Sequence, residues 1–147
     1  MGETHKIVAL DYGERRVGVA SADSELRMAL AHSTVEARSG EEMLNKVARV
    51  CRELGAERIV VGKPINMDGS VGPAAEHAAA FAASLGGMLG VAVEMWDERL
   101  STVVAERALI AADMSRSHRK RVRDKLAAQI ILQSFLDAEA DTGAGGT

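Results

Sequence analysis

The chain opens with an apolar run, Ile7-Val8-Ala9-Leu10, that stops at Asp11-Tyr12-Gly13. Lys6–Leu10 reads as a β-strand closed by a turn. Arg16–Ser21 resumes the β pattern through Val17-Gly18-Val19-Ala20, so the two runs predict a hairpin. A third strand is expected over Met28–Val35, where the alternation is weaker. At Ser39 the apolar period lengthens from two to that of a helix. Met43, Leu44, Val47, Val50, Cys51 and Leu54 share one helical face. Ser39 with Glu42 forms a capping box at its start, and Gly55 stops it. Arg58–Gly62, built on Ile59-Val60-Val61, is a strand of the fully buried type. Lys63–Gly72 is a loop. Pro73 suits the first turn of an Ala-rich helix reaching about Leu85. Val91–Trp96 is another strand. Ser101 or Thr102 caps a helix to about Ala112, and a last helix spans His118–Ala138.

This order, β-β-β-α-β-α-β-α-α, begins with an antiparallel hairpin and continues in β/α alternation. It predicts an α/β domain, a mixed sheet with helices on its faces. At 147 residues the chain fits a single domain, placed at 1–138, with 139–147 as a disordered tail. No internal repeat or domain boundary interrupts it. No apolar stretch approaches the ~20 residues a bilayer requires, and the N-terminus does not read as a signal peptide. One cysteine, Cys51, excludes an internal disulfide and a Cys-rich zinc site. A cytoplasmic protein with no membrane partner is expected. Cys51 falls on the apolar helix face and reads as a buried, inert thiol.

Charge changes the picture only through its distribution. The net charge of −3 argues mildly against a polyanionic partner. Yet six of the ten residues from Arg116 to Lys125 are Lys or Arg, and acids after Phe135 bring the total down.

Three acidic positions carry candidate chemistry. Asp11 leaves a buried strand at the sheet edge where α/β folds place ligands, although an Asp capping its own turn explains it equally well. Asp97-Glu98-Arg99 follows the last strand and is weak alone. Asp124 precedes Ala127, Ala128, Ile131 and Phe135 by three, four, seven and eleven positions, so it shares their inward face. An inward carboxylate is costly unless a cation or hydrogen bonds satisfy it. Oxygen-only ligands suit Mg²⁺ or Mn²⁺, and a carboxylate cluster holding two such ions is the arrangement for phosphodiester hydrolysis. The basic run beside Asp124 fits a phosphate-bearing substrate.

Four segments together resemble the YqgF family, the RuvC-like Holliday junction resolvases also described as pre-16S rRNA nucleases. They are Leu10-Asp11-Tyr12-Gly13 with Arg16-Val17-Gly18-Val19-Ala20; Val61 to Ser70 with Gly72-Pro73; Trp96-Asp97-Glu98-Arg99-Leu100-Ser101-Thr102; and Val122-Arg123-Asp124-Lys125-Leu126-Ala127-Ala128 into Ile130-Ile131-Leu132. The likeness covers about Lys6 to Asp137. Lys63 and Arg123 depart from it, standing where apolar residues are more usual. The resemblance implies an RNase H-like fold with a five-stranded sheet in the order 3-2-1-4-5. It implies Asp11, Glu98 and Asp124 as catalytic acids and metal ligands. It further implies a nuclease processing the 5′ end of pre-16S rRNA in ribosome biogenesis, with ribosomal particles as further partners. In that strand order Glu98 lies about 10 Å from Asp11, across the fourth strand, so its side chain must reach inward. Glu is long enough, which leaves Asp97 a supporting or substrate role.

The candidate substrate contacts are Arg16, Lys63, Asn66, Asp68, Arg99, Arg119, Lys120 and Arg121. Six of them have a plainer reading: Asn66 and Asp68 as turn formers, Arg99 as the partner of Asp97, and Arg119, Lys120 and Arg121 as a solvated helix face. Gly13 and Gly18 either let the backbone approach a ligand or merely shape turns. Tyr12 reads as a core or rim aromatic before a base-stacking one, and His118 as part of the basic helix start. The rivals to an RNA nuclease are a junction-resolving DNA nuclease, an ATPase of the actin and Hsp70 type, and a non-catalytic RNA-binding or scaffold module. A single domain argues against the ATPase. A resolvase would be a dimer, an RNA nuclease a monomer or homodimer. A scaffold would leave the three acids apart in space.

Overall fold

The computed structural model describes residues 5–103 and 116–146, with side chains in the last helix from Val122 to Ala140. The elements are β1 (Lys6–Asp11), β2 (Arg16–Asp23), β3 (Leu30–Glu36), α1 (Gly40–Leu54), β4 (Arg58–Lys63), α2 (Pro73–Leu89), β5 (Ala92–Asp97), a 3-10 turn at Glu98–Leu100, and α3 (Arg116–Gly146). The strands form one sheet in the order β3-β2-β1-β4-β5. β1 pairs antiparallel with β2, and β2 with β3. β1 and β4 are parallel, as are β4 and β5. The expected mixed sheet and its strand order are therefore present.

Strand alternation sorts the core into two layers. Val8, Leu10, Ile59 and Val61 face α1 and α2, in a cluster with Met43, Val47, Phe81 and Leu85. Ile7, Ala9 and Val60 face the other way, packing with Ala127, Ala128, Ile131, Leu132 and Phe135 of α3. The last residues of the strands inherit these faces. Asp11 continues the Ile7–Ala9 row and Gly62 the Val60 row, so both lie on the α3 side.

Local chemistry sets most element ends. Ser39 Oγ accepts from Glu42 N at 3.1 Å, and Gly55 ends α1 at φ 69°. The Glu42 carboxylate reaches back to Arg38 N at 3.3 Å, one residue before the cap that a capping box would engage. α2 passes the expected stop at Leu85 because the left-handed residue that closes it is Gly90. α3 also outruns its expected span. Its Ala138-Glu139-Ala140 are good helix formers, and Glu139 pairs with Arg58 of β4 at 2.8 Å. The helix runs to Gly146, past its expected end at Ala138. The helix expected from Ser101 or Thr102 to Ala112 lies almost wholly outside the described residues.

Candidate active site

The site starts from two strand ends and one helix. Asp11 closes β1, Glu98 follows β5, and Asp124 projects from the α3 face that packs on the sheet. Together they line a cavity of about 310 Å³ with Tyr12, Gly13, Arg16, Pro64 and Arg123. Asp11 and Asp124 are 8% exposed and Glu98 is 3% exposed. Among the described residues these three are the buried polar or charged side chains. Burying three carboxylates together is unfavourable without compensating cations or hydrogen bonds. Arg16 Nε bonds Asp124 Oδ2 at 3.2 Å, and Arg123 Nε lies 3.7 Å from Asp124 Oδ1.

Two glycines make this convergence possible. Gly18 pairs with Asp11 across the β1–β2 ladder. A Cβ on Gly18 would lie 1.9 Å from the backbone oxygen of Asp124 and 2.3 Å from its carbonyl carbon. The helix backbone therefore rests on a bare stretch of β2 next to Asp11, and this contact sets the depth of Asp124. Gly62 follows Val61, the partner of Leu10, and so stands level with Asp11 on the adjacent strand. A Cβ there would lie 2.6 Å from Ile131 Cδ1, 3.1 Å from Glu98 Oε1 and 3.3 Å from Glu98 Cγ. Glu98 thus spans β4 by lying over its one position without a side chain. The fourth strand separates Glu98 from Asp11 in the sheet, and Gly62 opens the path between them.

Asp97 takes a different place. It caps the 3-10 turn by accepting from Arg99 N at 2.9 Å, and it holds the Arg99 guanidinium at 2.7 Å. Those hydrogen bonds from Arg99 hold the Asp97 carboxyl below its usual range. Arg99 Nη1 also reaches the carbonyl of Asn66 at 3.5 Å. Asn66 and Asp68 fold their own loop: Asp68 Oδ1 accepts from Ser70 N at 2.9 Å, and Asn66 Nδ2 donates to Ser70 Oγ at 2.9 Å. Of the expected substrate contacts, Arg16 lies in the acid cavity. Lys63, Asn66, Asp68 and Arg99 are outside its lining: Lys63 ends β4, Asn66 and Asp68 lie in the loop after it, and Arg99 is in the turn after β5. Arg119, Lys120 and Arg121 have their backbone on α3; their side chains, and that of His118, lie outside the described residues. Gly62 escaped the sequence reading, although a lone glycine inside a strand pattern is a known mark of close approach. Arg123, one of the two departures from the family pattern, lines the cavity beside the third acid.

The donor set suits a hard divalent cation, because it is all carboxylate oxygen, buried and shared by one cavity. Among the described residues no three His, Cys, Asp or Glu side chains are arranged to hold a metal ion as they stand. The acids share a cavity, not a closed ligand shell, and Asp124 is turned toward two guanidinium groups.

Comparison with known proteins places this site in context. The family model RuvX, described as Holliday junction resolvase, matches residues 5–138. A protein of Symbiobacterium thermophilum named "Putative pre-16S rRNA nuclease" is 47% identical over 135 residues, covering 92% of this chain and 94% of that protein. A relative of the same name from Myxococcus xanthus is 47% identical over 133 residues, covering 90% and 88%. In structure, RuvC of Thermus thermophilus in complex with a Holliday junction substrate superposes with a TM-score of 0.61 at 14% identity, covering 94% of this chain and 97% of that one. That likeness establishes the RNase H-like fold. With the family match spanning nearly the whole chain, the protein belongs to the RuvX family of nucleases.

Proposed function

We propose that this chain is a divalent-metal-dependent endonuclease that hydrolyses phosphodiester bonds in RNA, trimming the 5′ end of pre-16S rRNA in the cytoplasm. The observation that carries this reading is the burial of Asp11, Glu98 and Asp124 in one cavity beside Arg16 and Arg123. The three carboxylates are the groups that would hold Mg²⁺ or Mn²⁺, as a pair of ions. Bound there, such ions supply an activated water and stabilise the leaving oxygen.

The chain's own residues do the rest. Arg16 and Arg123 sit where a phosphate would enter, and guanidinium groups take phosphate oxygens in well-defined geometry. A phosphate engaging Arg16 would compete with Asp124 for the guanidinium and free that carboxylate. Pro64, the first residue after β4, also lines the cavity. The relatives' name favours pre-16S RNA, whereas the family description favours a four-way DNA junction. Both substrates present the same phosphodiester to the same acids.

The test is cleavage of both substrates by one preparation, with Mg²⁺ or Mn²⁺. Pre-16S RNA should be cut, and Asp11→Asn and Glu98→Gln should each lose at least about a hundredfold in rate, about 2.7 kcal/mol of transition-state stabilisation. Cleavage of the junction alone would transfer the reading to DNA. A folded, metal-supplied protein that cuts neither would end it.

A further inference from the structure

A second cavity, of about 680 Å³, opens on the other side of the sheet edge, between the start of α1 and the middle of α2. Tyr12 lines both cavities. Strand alternation explains how. Asp11 points to the α3 side, and the next residue turns to the α1–α2 side, where its ring lies against Phe81 with centroids 4.7 Å apart. Tyr12 is thus a wall common to both cavities, so a nucleotide resting on it lies beside the acid cavity.

The second cavity has the chemistry for a nucleotide. Tyr12 and Phe81 give it an aromatic wall. Arg15 and Arg38 stand on its rim. They are distant in sequence, but Ala37 N donates to the Arg15 carbonyl at 3.1 Å and brings their backbones side by side. Both are exposed, and neither guanidinium makes an ion pair with another described residue. Two acids also touch the cavity; Glu14 is held by His77 at 3.1 Å, and Glu41 lies in the first turn of α1.

We propose that this cavity is a nucleoside-phosphate subsite, with a base against Tyr12 and a phosphate at Arg15 and Arg38, filled by an unpaired nucleotide next to the bond being cut. The inference rests on the nuclease reading for the identity of the strand. Aromatic stacking accepts any base whose face is open, whereas bases within a duplex are already covered by their neighbours. The subsite therefore selects for a single-stranded flank. A free nucleoside monophosphate offers the same groups, so the two sources must be separated by experiment.

Binding is the readout, so that cleavage is not needed. Asp11→Asn protein would be titrated with a fluorescent single-stranded oligoribonucleotide, with the same sequence as a duplex, and with AMP. Adding Arg15→Glu and Arg38→Glu, both at exposed positions, should weaken the single strand at least about tenfold and the duplex less than twofold. Tyr12→Leu should weaken it as well, and Tyr12→Phe should not. Thermal unfolding of each variant confirms that the fold is kept. Arginine-dependent AMP binding would support the subsite with the free nucleotide as a source; binding of the oligonucleotide without AMP assigns it to the substrate strand. Equal losses for single strand and duplex, or none for either, would overturn the proposal. If wild type cuts RNA but the arginine variants bind normally, the subsite fails and the nuclease stands. If nothing is cut but the binding pattern appears, the reverse holds.

Discussion

Gly62 shows how much one missing side chain decides. Glu98 reaches the acid cavity by lying over it, with Oε1 only 3.1 Å from where a Cβ would stand. Gly62→Ala is a small change in a buried strand, and its closest contact is the terminal methyl of Ile131 at 2.6 Å. That methyl and the Glu98 side chain must both yield, and the glutamate is the one on whose position the proposed reaction depends. Displacing a catalytic group by about 1 Å costs on the order of a hundredfold in rate. Gly62→Ala should therefore lower kcat by ten- to a hundredfold as an estimate from that sensitivity, with the melting temperature held within about 5 °C. Steady-state cleavage and thermal denaturation check both halves, and unchanged kcat would sink this account of Glu98. The three acids that share the cavity had each been singled out from sequence: Asp124 from its helical face, Asp11 from its strand end, Glu98 from the family string. The device that brings Glu98 across β4 was not, because a glycine in a strand marks a close approach without saying which distant side chain makes it.

At the scale of elements, the contact of α3 on β2 positions the third acid. Gly18 meets the backbone of Asp124 itself, and a helix backbone cannot yield as a side chain can. Gly18→Ala should thus destabilise the protein by about 1–3 kcal/mol, the usual range for overpacking a tight core. At roughly 2–4 °C per kcal/mol for a chain near this size, calorimetry would read a drop of several degrees. Activity should fall with it, since the helix must lift away from Asp11. Cys51 on α1 gives a contrasting element-level test. Burial pushes its thiol up to about 12, from an ordinary value near 9. The unfolded chain loses that proton first as pH rises, so the stability the protonated thiol contributes is complete below about 9 and is lost progressively toward 12. Native protein at pH 8 should react with a thiol reagent only as fast as it unfolds, and rapid labelling of folded protein would contradict the placement of α1. The core face of α1 could be read directly from its period. The ends of α2 and α3 could not, because Gly90 competed with earlier glycines as the stop and Glu139 acts through a distant partner on β4.

Across the whole molecule, a chain of net charge −3 is proposed to hold a polyanion. The contradiction dissolves once charge is mapped onto the fold. Acids buried in the cavity count toward the total, yet they would be offset by bound cations. Arg16 and Arg123 border that cavity, and the run Arg116–Lys125 begins the same helix that carries Asp124. The proposed attraction is therefore local to one end of the sheet, where the ends of β1 and β4 and the turn after β5 meet α3. Its size can be measured through counterion release. For single strands, log K falls with log salt at a slope of about −0.7 per phosphate neutralised. Replacing Arg119, Lys120 and Arg121 together by Gln should reduce that slope by about 2 if all three engage phosphates, while kcat at saturating RNA stays near wild type. Titrations on the uncleaving Asp11→Asn background between low and moderate salt provide the comparison. An unchanged slope would mean that the basic run is a solvated helix face and that the arginines of the cavities carry the substrate alone. A lost kcat with an unchanged slope would place the run in the catalytic geometry instead of in binding.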